Sequence, residues 1–281
     1  MVRSLLILLL LTGLHSRSGS QPINPLDLAE SLYENGSYND AITEYKRYLF
    51  FTGDEKAPDI YHRLGLCYRY MEDWTKAEAM TRMAIDLQDD DSVRSEYYLD
   101  LVVTYMASGN YPAAELRLLK LISFSDQASI KRRASFFQMV NYIFQNKWEE
   151  CRATLSAGLA LDDSTAVSTL MMRMERHIKG ERSPSTAKWL STFVPGSGQL
   201  YGGHLWPALN AAAINGFLGY NLVDQIRKGA PLSDVAYWIL LFERFWSGNR
   251  DKAAEMVRQD IIKRDARLRR ELLDSVGEII K

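Results

Sequence analysis

The chain has 281 residues, of which 47% are hydrophobic and 25% charged, with a formal net charge of -1. That length allows more than one domain. The balanced charge, with no basic tract interleaved with aromatics, gives no electrostatic reason to expect a nucleic-acid partner.

Residues 1–20 begin with one charge, Arg3, followed by the apolar run Leu5 to Leu11 and then small and polar residues ending Ser18-Gly19-Ser20. This order describes a secretory signal peptide, too short in its apolar part to span a bilayer, which needs roughly 20 apolar residues. Cleavage after Ser20 leaves Gln21 as the first residue, with no cysteine nearby to carry a lipid. The expected location is the cell envelope. Export permits disulfides, yet Cys67 and Cys151 are the only cysteines and fall in different repeats, so no bridge between them is expected. Neither has a histidine or carboxylate at ligand or nucleophile spacing, and both read as small core residues. His62, His177 and His204 read the same way, and no metal site or cofactor is expected.

From residue 25 the sequence repeats. Gly36-Ser37-Tyr38-Asn39-Asp40-Ala41 aligns with Glu72-Asp73-Trp74-Thr75-Lys76-Ala77, Gly109-Asn110-Tyr111-Pro112-Ala113-Ala114 and Asn146-Lys147-Trp148-Glu149-Glu150-Cys151, at spacings of 36, 37 and 37. Upstream the frame places Ala29, Gly65, Val102 and Met139 together, with Leu32, Tyr68, Tyr105 and Tyr142 three residues on. These offsets predict helix pairs: the small residue admits the neighbouring helix, the aromatic fills the gap between units, and the turn falls at Gly36, Gly109 and their equivalents.

The pattern resembles the tetratricopeptide repeat, the second unit being the best match through Tyr61, Leu64, Gly65, Tyr68, Trp74, Ala77 and Ala84. Four units cover about Pro25 to Asp163, with Met139 and Cys151 in place of small residues in the fourth. The amphipathic stretch Ser164 to Lys179 reads as the cap such a stack needs, so the repeats and cap span 25–180. The family's concave positions imply a groove at Tyr33, Leu66, Arg69, Tyr70, Val103, Met106, Phe136, Val140, Ile143 and Phe144. It is apolar in the later units and fits a protein or peptide partner. The alternative is that some of these side chains are core, or are covered by the chain's own C-terminal half.

Gly180 to Ser185 ends one helix and starts another, with Ser185 as a candidate N-cap, so a linker is expected at 181–187. Beyond it, Leu205 to Val223 carries no formal charge, and Val235 to Trp246 forms a second, shorter apolar segment. Between the linker and these segments lies Phe193-Val194-Pro195-Gly196-Ser197-Gly198-Gln199-Leu200-Tyr201-Gly202-Gly203. Its proline and glycines permit a tight turn and close backbone approach.

Pro195, Gly196, Gly198, Gln199 and Tyr201, followed by Asn210 and then by Glu243, Trp246 and Asn249, resemble a bacterial family that pairs a PGxGQxY signature with membrane helices. The resemblance covers about Lys188 to Ala254. It implies membrane association for an apolar hairpin module at 188–249 and carries no known activity. Polar groups in an apolar setting need partners, so the 193–203 turn is expected to pack on the Glu243 to Asn249 block, with Gln199 or Tyr201 bonded to Glu243 or Asn249. The bland alternative is an ordinary turn with these groups at the surface. Residues 250–281 form an amphipathic helix through Ala254, Val257, Ile261, Leu268, Leu272, Val276 and Ile279. Its cations Lys263, Arg264, Arg267, Arg269 and Arg270 are interspersed with acids and read as a solvated face, and its stripe could also pair two copies.

No phosphate-cradling motif, HExxH, paired cysteine ligands or nucleophile with a base is present, so no catalysis is expected. The fold expected is all-α: a tetratricopeptide-like solenoid, a helical hairpin and an amphipathic helix. Two functions compete. One is an exported, membrane-associated scaffold binding a protein or peptide. The other is a soluble periplasmic scaffold whose apolar C-terminal helices cap the repeat stack.

Overall fold

The structure is a computed structural model that describes residues 24–52, 57–158 and 164–279. The expected signal peptide at 1–20 lies outside them. Among the described residues the protein is all-α, with no strand. It divides into two compact units after Ile130.

The first unit holds three helix pairs: α1 (Pro25–Glu34) with α2 (Tyr38–Thr52), α3 (Pro58–Tyr70) with α4 (Trp74–Leu87), and α5 (Asp91–Ala107) with α6 (Tyr111–Phe124). Helix α7 (Ala128–Gln145) begins just before the division, and with α8 (Trp148–Ser156) it makes the fourth pair. The second unit continues through α9 (Ser164–Lys179), α10 (Pro184–Phe193), the short α11 (Ser197–Tyr201), α12 (Leu205–Arg227) and α13 (Leu232–Ile279).

The repeat register has a specific backbone basis. Gly36, Glu72, Gly109 and Asn146, the aligned turn positions, all take left-handed backbone, with φ of 77°, 60°, 77° and 56°. Each closes its first helix with the same pair of bonds. Gly36 N–H donates to Tyr33 O and Ser37 N–H to Leu32 O, and the bonds recur from Glu72 and Asp73, Gly109 and Asn110, and Asn146 and Lys147. This is the Schellman closure, which satisfies carbonyls a helix end leaves open. In the second and third units the next residue caps the following helix: Asp73 accepts from Lys76 N–H at 3.2 Å and Asn110 from Ala113 N–H at 3.4 Å.

Packing follows the same frame. Ala41, Ala77, Ala114 and Cys151 are fully buried, as are Ala29, Val102 and Met139 at the other small position. At Gly65 a Cβ would overlap Thr81 Oγ1, so this glycine sets how closely α3 and α4 approach. The fourth unit accommodates its larger residues by turning the Cys151 thiol toward the Met139 carbonyl, 3.8 Å away.

The C-terminal half differs from expectation at two points. The N-cap of α10 is Ser183, whose Oγ accepts from Thr186 N–H at 3.2 Å, because Pro184 occupies the first helical position, where it needs no N–H partner. Ser185 is inside the helix. And the second apolar segment and the amphipathic stretch are one element: α13 runs 48 residues without a break, about 72 Å at 1.5 Å per residue. Gly248 alone is too weak a breaker to end a helix.

The stripe at Ala254, Val257, Leu268, Leu272 and Val276 is buried, with Ile261 partly so. The side chain of Ile279 lies outside the described residues. Leu268, Leu272 and Val276 join one core with Met139, Tyr142, Trp148, Cys151, Leu170 and Met174, so α13 packs against the fourth repeat and α9.

Candidate functional site

The glycine-rich stretch is a joint between α10, α11 and α13, and each signature residue has a local reason. Pro195 and Gly196 are the middle of a turn closed by Ser197 N–H to Val194 O at 3.0 Å. Gly196, at φ 95° and ψ -19°, takes the position a type II turn reserves for glycine. A Cβ there would also strike the Ala208 carbonyl. At Gly198 a Cβ would overlap both the Ala187 carbonyl and Ser191 Oγ, so α10 and α11 touch backbone to backbone. Gly203, at φ 88°, ends α11 with the same Schellman closure the repeats use: its N–H donates to Leu200 O and His204 N–H to Gln199 O.

A buried polar chain runs through this joint. Gly198 N–H donates to Ser191 Oγ at 3.0 Å, and Ser191 Oγ–H donates to Gln199 Oε1 at 3.2 Å. Gln199 Nε2 donates to the Asn249 carbonyl at 3.2 Å and to Asn249 Oδ1. Because Gln199 Nε2 meets the Asn249 main-chain carbonyl, which can only accept, the orientation of both amides is fixed. Ser191, Gln199 and Asn249 are all buried. Tyr201 is used elsewhere: its hydroxyl accepts from Ser183 N–H at 3.1 Å, tying α11 to the start of α10. Arg182 donates to the Gly202 carbonyl beside it.

The structure thus brings Gln199 to Asn249 and takes Tyr201 to Ser183. Glu243 lies exposed on α13. Trp246 stacks on Phe242 at 6.4 Å and carries the Arg250 guanidinium 4.8 Å above its ring. Asn210 is exposed on α12 and lines a cleft of about 480 Å³ between α12 and α13, whose wall also includes Gln199, Asn215 and Asn249.

The groove residues divide between the two units. In the first, Tyr70 stands exposed and stacks on Tyr38 at 4.7 Å, with Tyr33 edge-on at 6.2 Å. Leu66 is buried, and Val103 and Met106 are half-buried. Arg69 is committed to an ion pair with Asp100 at 3.1 Å, which His62 shares at 2.9 Å. Burial pushes the Asp100 carboxyl up, but His62 and Arg69 outweigh that and hold it below the usual carboxylate range. In the second unit Ile143 is core, while Phe136 and Val140 pack against the cluster that includes Leu268, Leu272 and Val276. For these three the chain's own last helix belongs to the same apolar body, which takes the Leu268, Leu272 and Val276 stripe out of water. Phe144 is half-buried.

Two positions escaped the sequence reading. Asp265 sits in the apolar stripe of α13 between Ile261 and Leu268, where it accepts from Trp148 Nε1 at 3.0 Å and meets His177 Nε2 at 2.8 Å. A carboxylate on a buried stripe was the available signal, since it must find donors. Ser191, four residues after the buried Ala187, was marked only by that small-residue spacing. Burial pushes both thiols, Cys67 and Cys151, up to about 12, which makes them unreactive.

Among the described residues no group of metal-ligating side chains occurs, and no helix is long and apolar enough to cross a membrane. The fold defines a helical-repeat protein with an appended helical module. No family model and no curated protein sequence matches the chain. Among solved structures it is similar to the apo form of RapI, at 14% identity over 85% of this chain and 75% of that one, with a TM-score of 0.46.

Proposed function

We propose that the protein is an exported, membrane-associated scaffold: helical repeats hold a protein or peptide, and the α12–α13 hairpin attaches the molecule to the envelope. The observation that carries this reading is the apolar surface of the hairpin. Trp206, Phe217, Tyr220, Leu232, Tyr237 and Leu240 are each at least 60% exposed. So many large apolar side chains left open on two adjacent helices suit contact with a protein or a bilayer. Neither helix is apolar enough to cross, so the attachment is shallow, with the hairpin lying in the interface. The PGxGQxY resemblance and the N-terminal sequence support the same placement. The joint at 193–203 roots the hairpin on α10 through close backbone contact and the Ser191, Gln199 and Asn249 bonds.

A second reading has its own support. Because Leu268, Leu272 and Val276 share a core with the fourth repeat, the C-terminal half of α13 suits a soluble scaffold in which it caps the stack. The two readings differ over the hairpin. Flotation of the purified protein with vesicles of mixed anionic and zwitterionic lipid separates them. Attachment predicts co-flotation that is lost on replacing Trp206, Phe217 and Leu240 by serine, and a wild-type protein that stays in the dense fraction refutes it.

A further inference from the structure

The cleft between α12 and α13 has an unfilled hydrogen-bonding pattern at its wall. Asn249 Oδ1 is taken by Gln199, whose Nε2 is identified by its bond to the Asn249 main-chain carbonyl, so the Asn249 –NH2 is left buried with no acceptor. Asn215 is oriented as firmly. Its Nδ2 donates to the Ala211 carbonyl at 2.8 Å, which leaves Oδ1 buried without a donor. Both side chains are more than nine-tenths buried and both line the cleft. A buried polar atom without a partner calls for an explanation, and an ordered water or a bound group supplies one.

The surroundings narrow that occupant. Arg244 and Lys252 also line the cleft, so the acceptor that satisfies Asn249 carries negative charge. The same two cations disfavour an ammonium as the donor facing Asn215, so that donor is neutral, and a hydroxyl is the simplest. Ile214 and Phe245 supply apolar wall, and the volume of about 480 Å³ suits a head group rather than a peptide. We infer that this cleft binds an anionic group with a neighbouring hydroxyl, the chemistry of a phosphoglycerol. Its source is either a lipid head group or a free glycerol phosphate. The inference does not require the hairpin to attach to a bilayer.

The test is calorimetric titration of the full protein with three probes: dihexanoyl phosphatidylglycerol below its micelle concentration, glycerol 3-phosphate, and dihexanoyl phosphatidylcholine as control. Two variants accompany it. Asn249→Asp keeps an acceptor for Gln199 while replacing the –NH2 with a repelling oxygen. Arg244→Gln with Lys252→Gln changes only exposed side chains and keeps the test valid if the first variant does not fold.

The expected result is binding of the phosphoglycerol lipid in preference to the choline lipid, weakened about tenfold or more by each variant, equivalent to about 1.4 kcal/mol per tenfold. Binding of glycerol 3-phosphate as tightly as the lipid, with the same sensitivity, assigns the free source. The inference is overturned if neither anionic probe binds, if binding is equal in the variants, or if a crystal soaked with probe holds only water on Asn215 and Asn249. Failure of flotation with intact binding here removes the attachment reading alone.

Discussion

The joint makes a quantitative prediction about the Gln199 to Asn249 contact. Replacing Gln199, which is 2% exposed, by methionine keeps the side-chain length but strips the Ser191 hydroxyl and two Asn249 oxygens of their partner. The Asn249 main-chain carbonyl keeps its helical N–H, and each of the other two groups left unsatisfied costs about 1 to 3 kcal/mol, so Gln199→Met should lose about 2 to 6 kcal/mol. Asn249→Leu leaves the Gln199 amide without its side-chain acceptor and should cost about 1 to 3 kcal/mol. The first change strands Asn249 Oδ1 and the second strands the Gln199 amide, and neither is stranded when both are replaced, so the double variant should lose about 1 to 3 kcal/mol less than the sum of the two single losses.

Urea denaturation followed by tryptophan emission is a suitable assay. Of the six tryptophans, Trp148, Trp189, Trp206, Trp238 and Trp246 lie in the second unit and Trp74 in the first, so the signal reports mainly on the unit that contains the joint. A coupling within about 0.3 kcal/mol of zero, the additivity of independent sites, would refute the buried polar chain.

Glycines separate by environment: Gly198→Ala should destabilise by about 1 to 3 kcal/mol or block folding through overlap with the Ala187 backbone, while Gly216→Ala, with open space around it in α12, should stabilise by about 0.5 to 1 kcal/mol. Thermal melts of the two variants check both signs. Glu72 and Asn146 carry left-handed backbone at positions where the other repeats have glycine, so Glu72→Gly should raise the melting temperature, reflecting up to about 1 kcal/mol of relieved strain. Asp100 is held below its ordinary pKa in the folded state, so its contribution is fully present above its unfolded value and is lost as pH falls through the folded one. Asp100→Asn should therefore flatten the decline in stability below about pH 4, measured by denaturation from pH 7 to pH 2.5.

The repeats were legible because their signal is local and recurs. A turn residue, an aromatic and a small residue return every 36 or 37 positions, and the left-handed turn, the Schellman bonds and the buried alanines follow from steric rules that act within a few residues. The signature around Gly198 was legible as a place where backbone must turn and approach closely, and Asn249 as a candidate partner for Gln199.

What the sequence alone could not decide was where long-range partners fall. Ser191 and Tyr201 are separated from their partners by the geometry of α10 and α11, and Asp265 finds Trp148 and His177 across 117 and 88 positions of chain. Nor does periodicity say where α13 stops, since neither Gly248 nor the change from apolar to charged composition ends a helix, and the tertiary structure joined two expected elements into one.

The local chemistry of turns, caps and small residues, then, was determined by the sequence itself, because those choices depend on near neighbours. Which apolar faces are covered and which remain open was decided only in three dimensions. The stripe at Leu268, Leu272 and Val276 closes on the fourth repeat, and the equally apolar faces of Trp206, Phe217 and Leu240 stay exposed, because burial depends on which surface the fold brings opposite each face.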